Sequence, residues 1–258
     1  MQVKTPLAAL VVVALALAGC GGGGSSPPAK ATVEGPLVEG PDPARGVWLF
    51  RPAGQPKRVV IFFHGQGGAE ETTPVNHRAW IDHLVDGGAA VIYPRYEQDY
   101  ATSVLGAAVA GVRTATKRLG EANERVLALG YSRGGPLAVE YAAVATREHV
   151  PVPDAVQSVN PVPWGEWSHV VDLSPLPHDT TVSIIVSDQD EGATPGMRGL
   201  LDRLRQAHFP PSRVQLHAAR SHGSFVADHV APMGDSVDVQ AAYWTPTDRL
   251  LNRLEPSS

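Results

Sequence analysis

Short apolar segments alternate with segments of helical periodicity along most of this chain. Runs such as Arg58–Phe63 (RVVIFF) and Thr181–Ser187 (TVSIIVS) are rich in β-branched and aromatic residues, which predicts buried strands. In residues 77–87, by contrast, apolar side chains recur at the spacing of one helix face. The predicted strands are residues 46–51, 58–63, 89–93, 126–129, 154–159, 181–187 and 213–217. The predicted helices are residues 77–87, 100–119, 137–144, 196–208 and 248–254. This alternation predicts an α/β domain with a mostly parallel sheet that helices cover on both faces.

The first twenty residues have the pattern of an export signal. Lys4 precedes an apolar stretch at 6–19 (PLAALVVVALALAG) that is too short and too rich in alanine for a membrane span. The stretch ends in Leu-Ala-Gly-Cys20, which resembles a bacterial lipobox, in which the cysteine is lipidated. An ordinary signal peptide and an uncleaved anchor are the alternatives. Cys20 is the only cysteine in the chain, and a thioether to lipid would account for it.

The resulting domain plan has three parts. Residues 1–19 are a signal peptide, residues 20–45 are a lipidated tether and extended linker rich in glycine and proline, and residues 46–258 form one folded domain. The expected location is that of an exported bacterial lipoprotein, lipid-anchored in the cell membrane or the outer membrane. The membrane is therefore an expected partner.

Charge excludes one class of partner. The 258 residues carry a net charge of −5 and contain no basic block, which argues against nucleic acid. The chain contains no H-E-x-x-H, no cysteine cluster and no Walker sequence, so we expect neither a metal nor an organic cofactor.

The most informative stretch is RVLALGYSRGG at 125–135. An apolar strand leads into Gly130-Tyr131-Ser132-Arg133-Gly134, and an alanine-rich helix follows. Strand, G-x-S-x-G turn and helix in this order are typical of a nucleophile elbow, which exposes a serine hydroxyl at the carboxyl ends of the strands. The alternative is a glycine-rich turn of another α/β protein, with Ser132 as a helix N-cap.

Two further loops follow predicted strands. HGQGG at 64–68 has the glycines that would let backbone N–H groups, from Gln66 here and from Arg133 after the serine, bind a developing oxyanion. An ordinary glycine-rich loop is the alternative. Asp188 and Asp190 come at the end of the strand 181–187. Asp190 is favoured as the carboxylate that orients a histidine, with Asp188 capping the turn, and both could instead be solvated.

The chain contains ten histidines, any of which could in principle be the general base for Ser132. His222, in Ser-His-Gly after the last predicted strand, is the preferred candidate because it lies in a flexible turn beside glycine. His217 inside that strand and His229 on the following segment are expected to be structural or surface residues. His64 is expected to orient the oxyanion loop.

The order Ser132, Asp190, His222 resembles that of nucleophile, acid and base in α/β-hydrolases. With the motifs HGQGG, GYSRGG, SDQD and SHG, the chain is similar to cap-less or small-cap bacterial esterases, lipases and dienelactone-hydrolase-like enzymes, from Gly46 onward. The resemblance implies an α/β-hydrolase fold, a single domain with no large cap, and hydrolysis of a small-molecule or lipid ester through an acyl-serine.

Two segments outside these motifs are candidates for contact with the substrate. Trp164 and Trp167, in a short insert at 160–180, would wall the pocket or pack the insert onto the sheet. Arg95 or Tyr96 would touch substrate or belong to a salt-bridged surface loop. Cleavage of amides by the same residues, and a non-catalytic surface lipoprotein that uses the fold for binding, remain alternative functions. The oligomeric state is left open.

Overall fold

A single eight-stranded sheet organises the molecule. The computed structural model describes residues 30–37, 46–66, 73–96, 104–120, 125–163 and 171–254. The strands lie in the order β1-β2-β4-β3-β5-β6-β7-β8. They are β1 (Thr32–Leu37), β2 (Val47–Arg51), β3 (Arg58–Phe63), β4 (Ala89–Pro94), β5 (Arg125–Tyr131), β6 (Ala155–Val159), β7 (Thr181–Ser187) and β8 (Val214–Ala219).

The sheet is parallel from β4 through β8. Among the strands that the structure describes, only β1 with β2 and β2 with β4 pair antiparallel, at one side of the sheet. The carboxyl ends of six strands therefore meet at one edge, where the loops that carry polar residues converge.

Helices cover both faces. They are α1 (Arg78–Asp86), α2 (Val104–Leu119), α3 (Gly134–Glu148), α4 (Ala193–Gln206), α5 (Val237–Val239) and α6 (Thr245–Arg253), with a π-helical turn at Gln240–Trp244 and 3-10 turns at Pro74–His77, Pro211–Arg213 and Ala231–Met233. The buried residues of α2, α3 and α4 form one apolar layer with the sheet, and those of α1 and α6 belong to the opposite layer.

Strand β3 shows that the sheet is buried on both of its faces. Its six residues are all buried, with Val59, Ile61 and Phe63 in the α2–α3–α4 layer, and Val60 and Phe62 in the α1–α6 layer. Successive side chains of a strand point to opposite faces, so a strand covered on both faces is a continuous apolar run rather than an alternating one. The prediction of a mostly parallel sheet covered on both faces is confirmed.

The domain boundary differs from the prediction. Thr32–Leu37, placed by the sequence in the linker, is the edge strand β1, and it pairs with β2. Its side chains are largely exposed and it contains a proline, so no apolar pattern marked it as a strand. Cys20 and the segment 1–19 lie outside the described residues. No helix in the ranges that the structure describes is long and apolar enough to cross a membrane.

Candidate active site

The turn between β5 and α3 places Ser132 at the carboxyl edge of the sheet. Ser132 has a φ of 55°, a left-handed conformation that is unfavourable for serine, and its N–H donates to the Val159 carbonyl on β6 at 2.9 Å. A Cβ atom on Gly134 would overlap the carbonyl oxygen of Phe63, and one on Gly130 would overlap Gly134. The two glycines therefore allow the tight turn that the sequence predicted.

A chain of hydrogen bonds joins Ser132 to a histidine and a carboxylate. Nε2 of His229 lies 2.9 Å from Oγ of Ser132, and Nδ1 of the same ring lies 2.6 Å from Oδ2 of Asp190. Because the carboxylate can only accept at that contact, Nδ1 carries the proton and Nε2 faces the hydroxyl as an acceptor. The imidazole is thereby held in the tautomer that can take the serine proton.

The Asp190 carboxylate is buried and anchored by backbone. Its side chain is 5% exposed, and Oδ1 accepts hydrogen bonds from the N–H groups of Gly192 and Ala193 at the start of α4. These two backbone donors fix the orientation of the carboxylate. Oδ2 is thus left for His229.

The prediction of His222 as the base is wrong in this geometry. His222 lies in a tight turn bridged to Phe225, its side chain is 64% exposed, and its Nε2 is 3.7 Å from the Asp238 carboxylate. His229, which the sequence placed among structural or surface residues, occupies the position between Ser132 and Asp190. Both histidines follow β8 in one irregular segment, and no local sequence signal distinguishes them.

Asp188 has the capping role that the sequence favoured for it. Its carboxylate accepts hydrogen bonds from the N–H and the hydroxyl of Ser221, and these bonds hold the pKa of Asp188 below its usual value. The Ser221 hydroxyl in turn accepts from the Ala227 N–H. This network shapes the loop that carries His229, and Asp188 does not reach the histidine ring through any described contact.

The predicted oxyanion loop begins directly against the elbow. A Cβ on Gly134 would also meet the His64 carbonyl, so the loop backbone and the start of α3 are in close contact. Gln66 is exposed at the end of the described part of this loop, and Arg133 is half-buried at the start of α3. The assignment of their N–H groups as oxyanion donors stays a prediction.

His64 supports this loop from inside. Its ring is buried and lies parallel to that of Tyr96 at 3.8 Å between centroids, and its Nδ1 bonds the Gly65 carbonyl. Burial lowers the pKa of His64 from 6.5 to about 3, so the ring is neutral. Tyr96 is 2% exposed and donates its hydroxyl to the His64 carbonyl, which excludes the surface-loop alternative for this residue.

Trp164 and Trp167, predicted to bind substrate, lie outside the described residues. Among the residues that are described, no group of three or more histidine, cysteine, aspartate or glutamate side chains is placed to hold a metal ion.

Comparison with solved structures shows that the chain has the α/β-hydrolase fold. Esterase B from Lactobacillus rhamnosis is similar with a TM-score of 0.65 and 18% identity, over 88% of this chain and 87% of that one. A bacterial heroin esterase has a TM-score of 0.61 and 18% identity, over 88% of this chain and 85% of that one. An α/β-hydrolase enzyme from a Medee basin deep-sea metagenome library has a TM-score of 0.61 and 16% identity, over 88% of this chain and 98% of that one. No protein-family model matches the chain, and no curated protein is similar to it in sequence.

Proposed function

We propose that the protein is a serine hydrolase that cleaves carboxylic esters through an acyl-serine intermediate. The observation that carries this proposal is the continuous hydrogen-bonded chain from Ser132 through His229 to Asp190, on a strained turn at the carboxyl edge of the sheet. Maintaining an unfavourable backbone angle at a serine whose hydroxyl faces an imidazole is typical of a nucleophile.

The reaction follows from this arrangement of hydrogen bonds. Ser132 Oγ attacks the ester carbonyl while its proton passes to Nε2 of His229, and Asp190 stabilises the resulting imidazolium. The N–H groups of Gln66 and Arg133 would bind the oxyanion of the tetrahedral intermediate. Collapse of that intermediate releases the alcohol, which takes the proton from His229. Water then attacks the acyl-serine with His229 again as base, releasing the carboxylic acid and restoring Ser132.

Esters are favoured over amides by the solved structures. Several similar structures are named as esterases, and one of these, with esterase B from Lactobacillus rhamnosis, concerns a C4–C4 tributyrin phosphonate. A short-chain ester is therefore the first substrate to test. Cleavage of amides by the same three residues is the second candidate, and use of the fold for binding alone is the third.

The decisive experiment compares two histidine variants. Hydrolysis of p-nitrophenyl butyrate is measured for the wild-type protein and for the variants Ser132→Ala, His229→Gln and His222→Gln. We expect Ser132→Ala and His229→Gln to lose at least about a thousandfold in kcat. His222→Gln, a change of the same kind at an exposed site, should keep wild-type turnover. Wild-type activity in Ser132→Ala would refute the mechanism, and loss in His222→Gln alone would refute the assignment of the base. A matched butyramide measured in parallel separates ester from amide cleavage.

We also propose that the protein is an exported bacterial lipoprotein anchored through Cys20. In that case the position of β1 shows where the anchored chain would enter the folded domain. Thr32 pairs with Arg51, and Phe50 pairs with Val91 near the start of β4, so β1 begins at the amino edge of the sheet. Ser132 lies at the opposite edge, so the anchored chain would enter the folded domain on the side away from the active site. Incorporation of a labelled palmitate, and its loss in Cys20→Ala, would test the anchor.

A further inference from the structure

The segment that carries His229 has no regular structure of its own. It lies between the isolated bridge of His222 with Phe225 and the 3-10 turn Ala231–Met233, in residues that are neither helix nor strand. A catalytic histidine must nevertheless be held within a fraction of an ångström of its productive position. The ring contacts with Ser132 and Asp190 do not fix the backbone, so the position of the segment depends on other residues.

Asn160, which directly follows β6, contacts both the segment that carries His229 and β7, the strand that precedes Asp190. Its Nδ2 donates to the Asp228 carbonyl at 3.2 Å and lies 3.5 Å from the His229 carbonyl. Its Oδ1 accepts from the Ser187 N–H at 2.9 Å, and its own N–H donates to the Ile185 carbonyl at 2.8 Å. One fully buried side chain therefore connects the end of β7, which leads to Asp190, with the backbone of the base.

Tyr131 provides a second contact from the nucleophile side. Its hydroxyl donates to the His229 carbonyl at 2.8 Å, and its ring lies 5.4 Å from the imidazole. Since Tyr131 immediately precedes Ser132, the His229 carbonyl is tied to the strand of the nucleophile as well as to Asn160.

Asparagine has the properties that this position needs. Asn160 has a φ of 45°, a left-handed conformation that asparagine tolerates better than most residues. Its short side chain carries an acceptor and two donors, and both kinds are used here. Aspartate has the same shape without the donors, and glycine tolerates the backbone angle without any side chain.

We propose that Asn160 is a positioning residue, which holds the backbone of His229 so that its ring bridges Ser132 and Asp190. The inference rests on the proposed function, since it concerns the same three residues. Asn160 itself does not touch the reacting atoms in this arrangement. Its loss should therefore reduce turnover while leaving substrate affinity nearly unchanged.

The test uses two variants and a matched control. Asn160→Gly removes the amide and keeps the backbone angle, and Asn160→Asp keeps the shape and replaces the donors by an oxygen that faces two carbonyls. Gln157→Met is the control, because Gln157 is an equally buried amide on β6 whose side chain has no hydrogen-bond partner in the described part of the chain. The measurements are kcat and KM for p-nitrophenyl butyrate, and the downfield proton NMR resonance of the His229 N–H that faces Asp190.

We expect kcat to fall roughly ten- to a hundredfold in both Asn160 variants, with KM within about twofold of wild type. The proton resonance should shift or broaden in both, and Gln157→Met should change neither. Folded Asn160 variants with wild-type kcat and an unchanged resonance would overturn the inference. So would loss of folding in both while Gln157→Met folds, because that would show a purely structural role. If the wild-type protein shows no turnover that depends on Ser132, the proposed function fails, and the NMR comparison still decides the role of Asn160.

Discussion

Acid should destabilise this protein through a buried histidine beside the site, His77. Its side chain is packed against the rings of Phe62 and Tyr131, at centroid distances of 4.8 and 5.2 Å, and the residue is 1% exposed. Neither ring nitrogen has a hydrogen-bond partner within the described residues. Burial lowers the pKa of His77 from 6.5 to about 3.

The sign and size of the effect follow from this difference in pKa. Below pH 6.5 the unfolded chain binds a proton at His77, whereas the folded protein does not bind one until about pH 3. The contribution of His77 to the free energy of unfolding is therefore greatest above pH 6.5 and falls by about 1.4 kcal/mol per pH unit between pH 6.5 and about pH 3. At pH 5 the loss from His77 is about 2 kcal/mol. His64, whose pKa is lowered to about 3 in the same way, adds a similar loss.

The assay is urea unfolding of wild type and His77→Phe at pH 7.5 and pH 5.0, followed by tryptophan fluorescence. Phenylalanine keeps an aromatic ring in the aromatic pocket and cannot bind a proton. Between the two pH values, wild type should lose about 2 kcal/mol more stability than the variant does. Equal losses in the two proteins would refute the reasoning, because His77 would then titrate alike in the folded and unfolded chains.

Three further predictions concern the loop that follows β3, the turn at Ser132 and α4. Tyr96→Phe removes the hydroxyl that holds the His64 carbonyl and keeps the ring stack, so kcat for an ester should fall roughly tenfold at constant KM; unchanged kcat would exclude a role for this hydrogen bond. Ser132→Gly relieves the left-handed φ that Ser132→Ala retains, so the glycine variant should be more stable to urea than the alanine variant by about 1 kcal/mol; a more stable alanine variant would argue against backbone strain. Gly196→Ala would drive a Cβ into the Pro161 carbonyl and should cost about 2 kcal/mol or more of stability. The same change at Gly199, which faces open space on the same helix, should stabilise by about 1 kcal/mol, and equal effects at the two sites would contradict the contact.

The fold could be predicted from the sequence because the patterns that indicate its strands and helices lie in short stretches of consecutive residues. A strand buried on both faces must be apolar throughout, as β3 is, and a covering helix must be apolar on one side. The tight turn at Ser132 needs a glycine two residues before the serine and another two residues after it, so it can be recognised from five consecutive residues. Asp190 could be located because it follows a strong strand by only a few residues. The strand β1 was missed because an exposed edge strand has no need of an apolar pattern.

The sequence by itself determined the layered α/β architecture, the position of Ser132 and the strand end that supplies Asp190. Only the tertiary structure decided which histidine meets them. His222 and His229 lie on one irregular segment, where the backbone path depends on contacts from distant residues: Asn160 and Tyr131 hold the His229 carbonyl, and Asp188 holds Ser221. Hydrogen bonds between residues far apart in the chain leave no periodic pattern in the sequence, so the histidine that contacts Ser132 and Asp190 could be identified only from the tertiary structure.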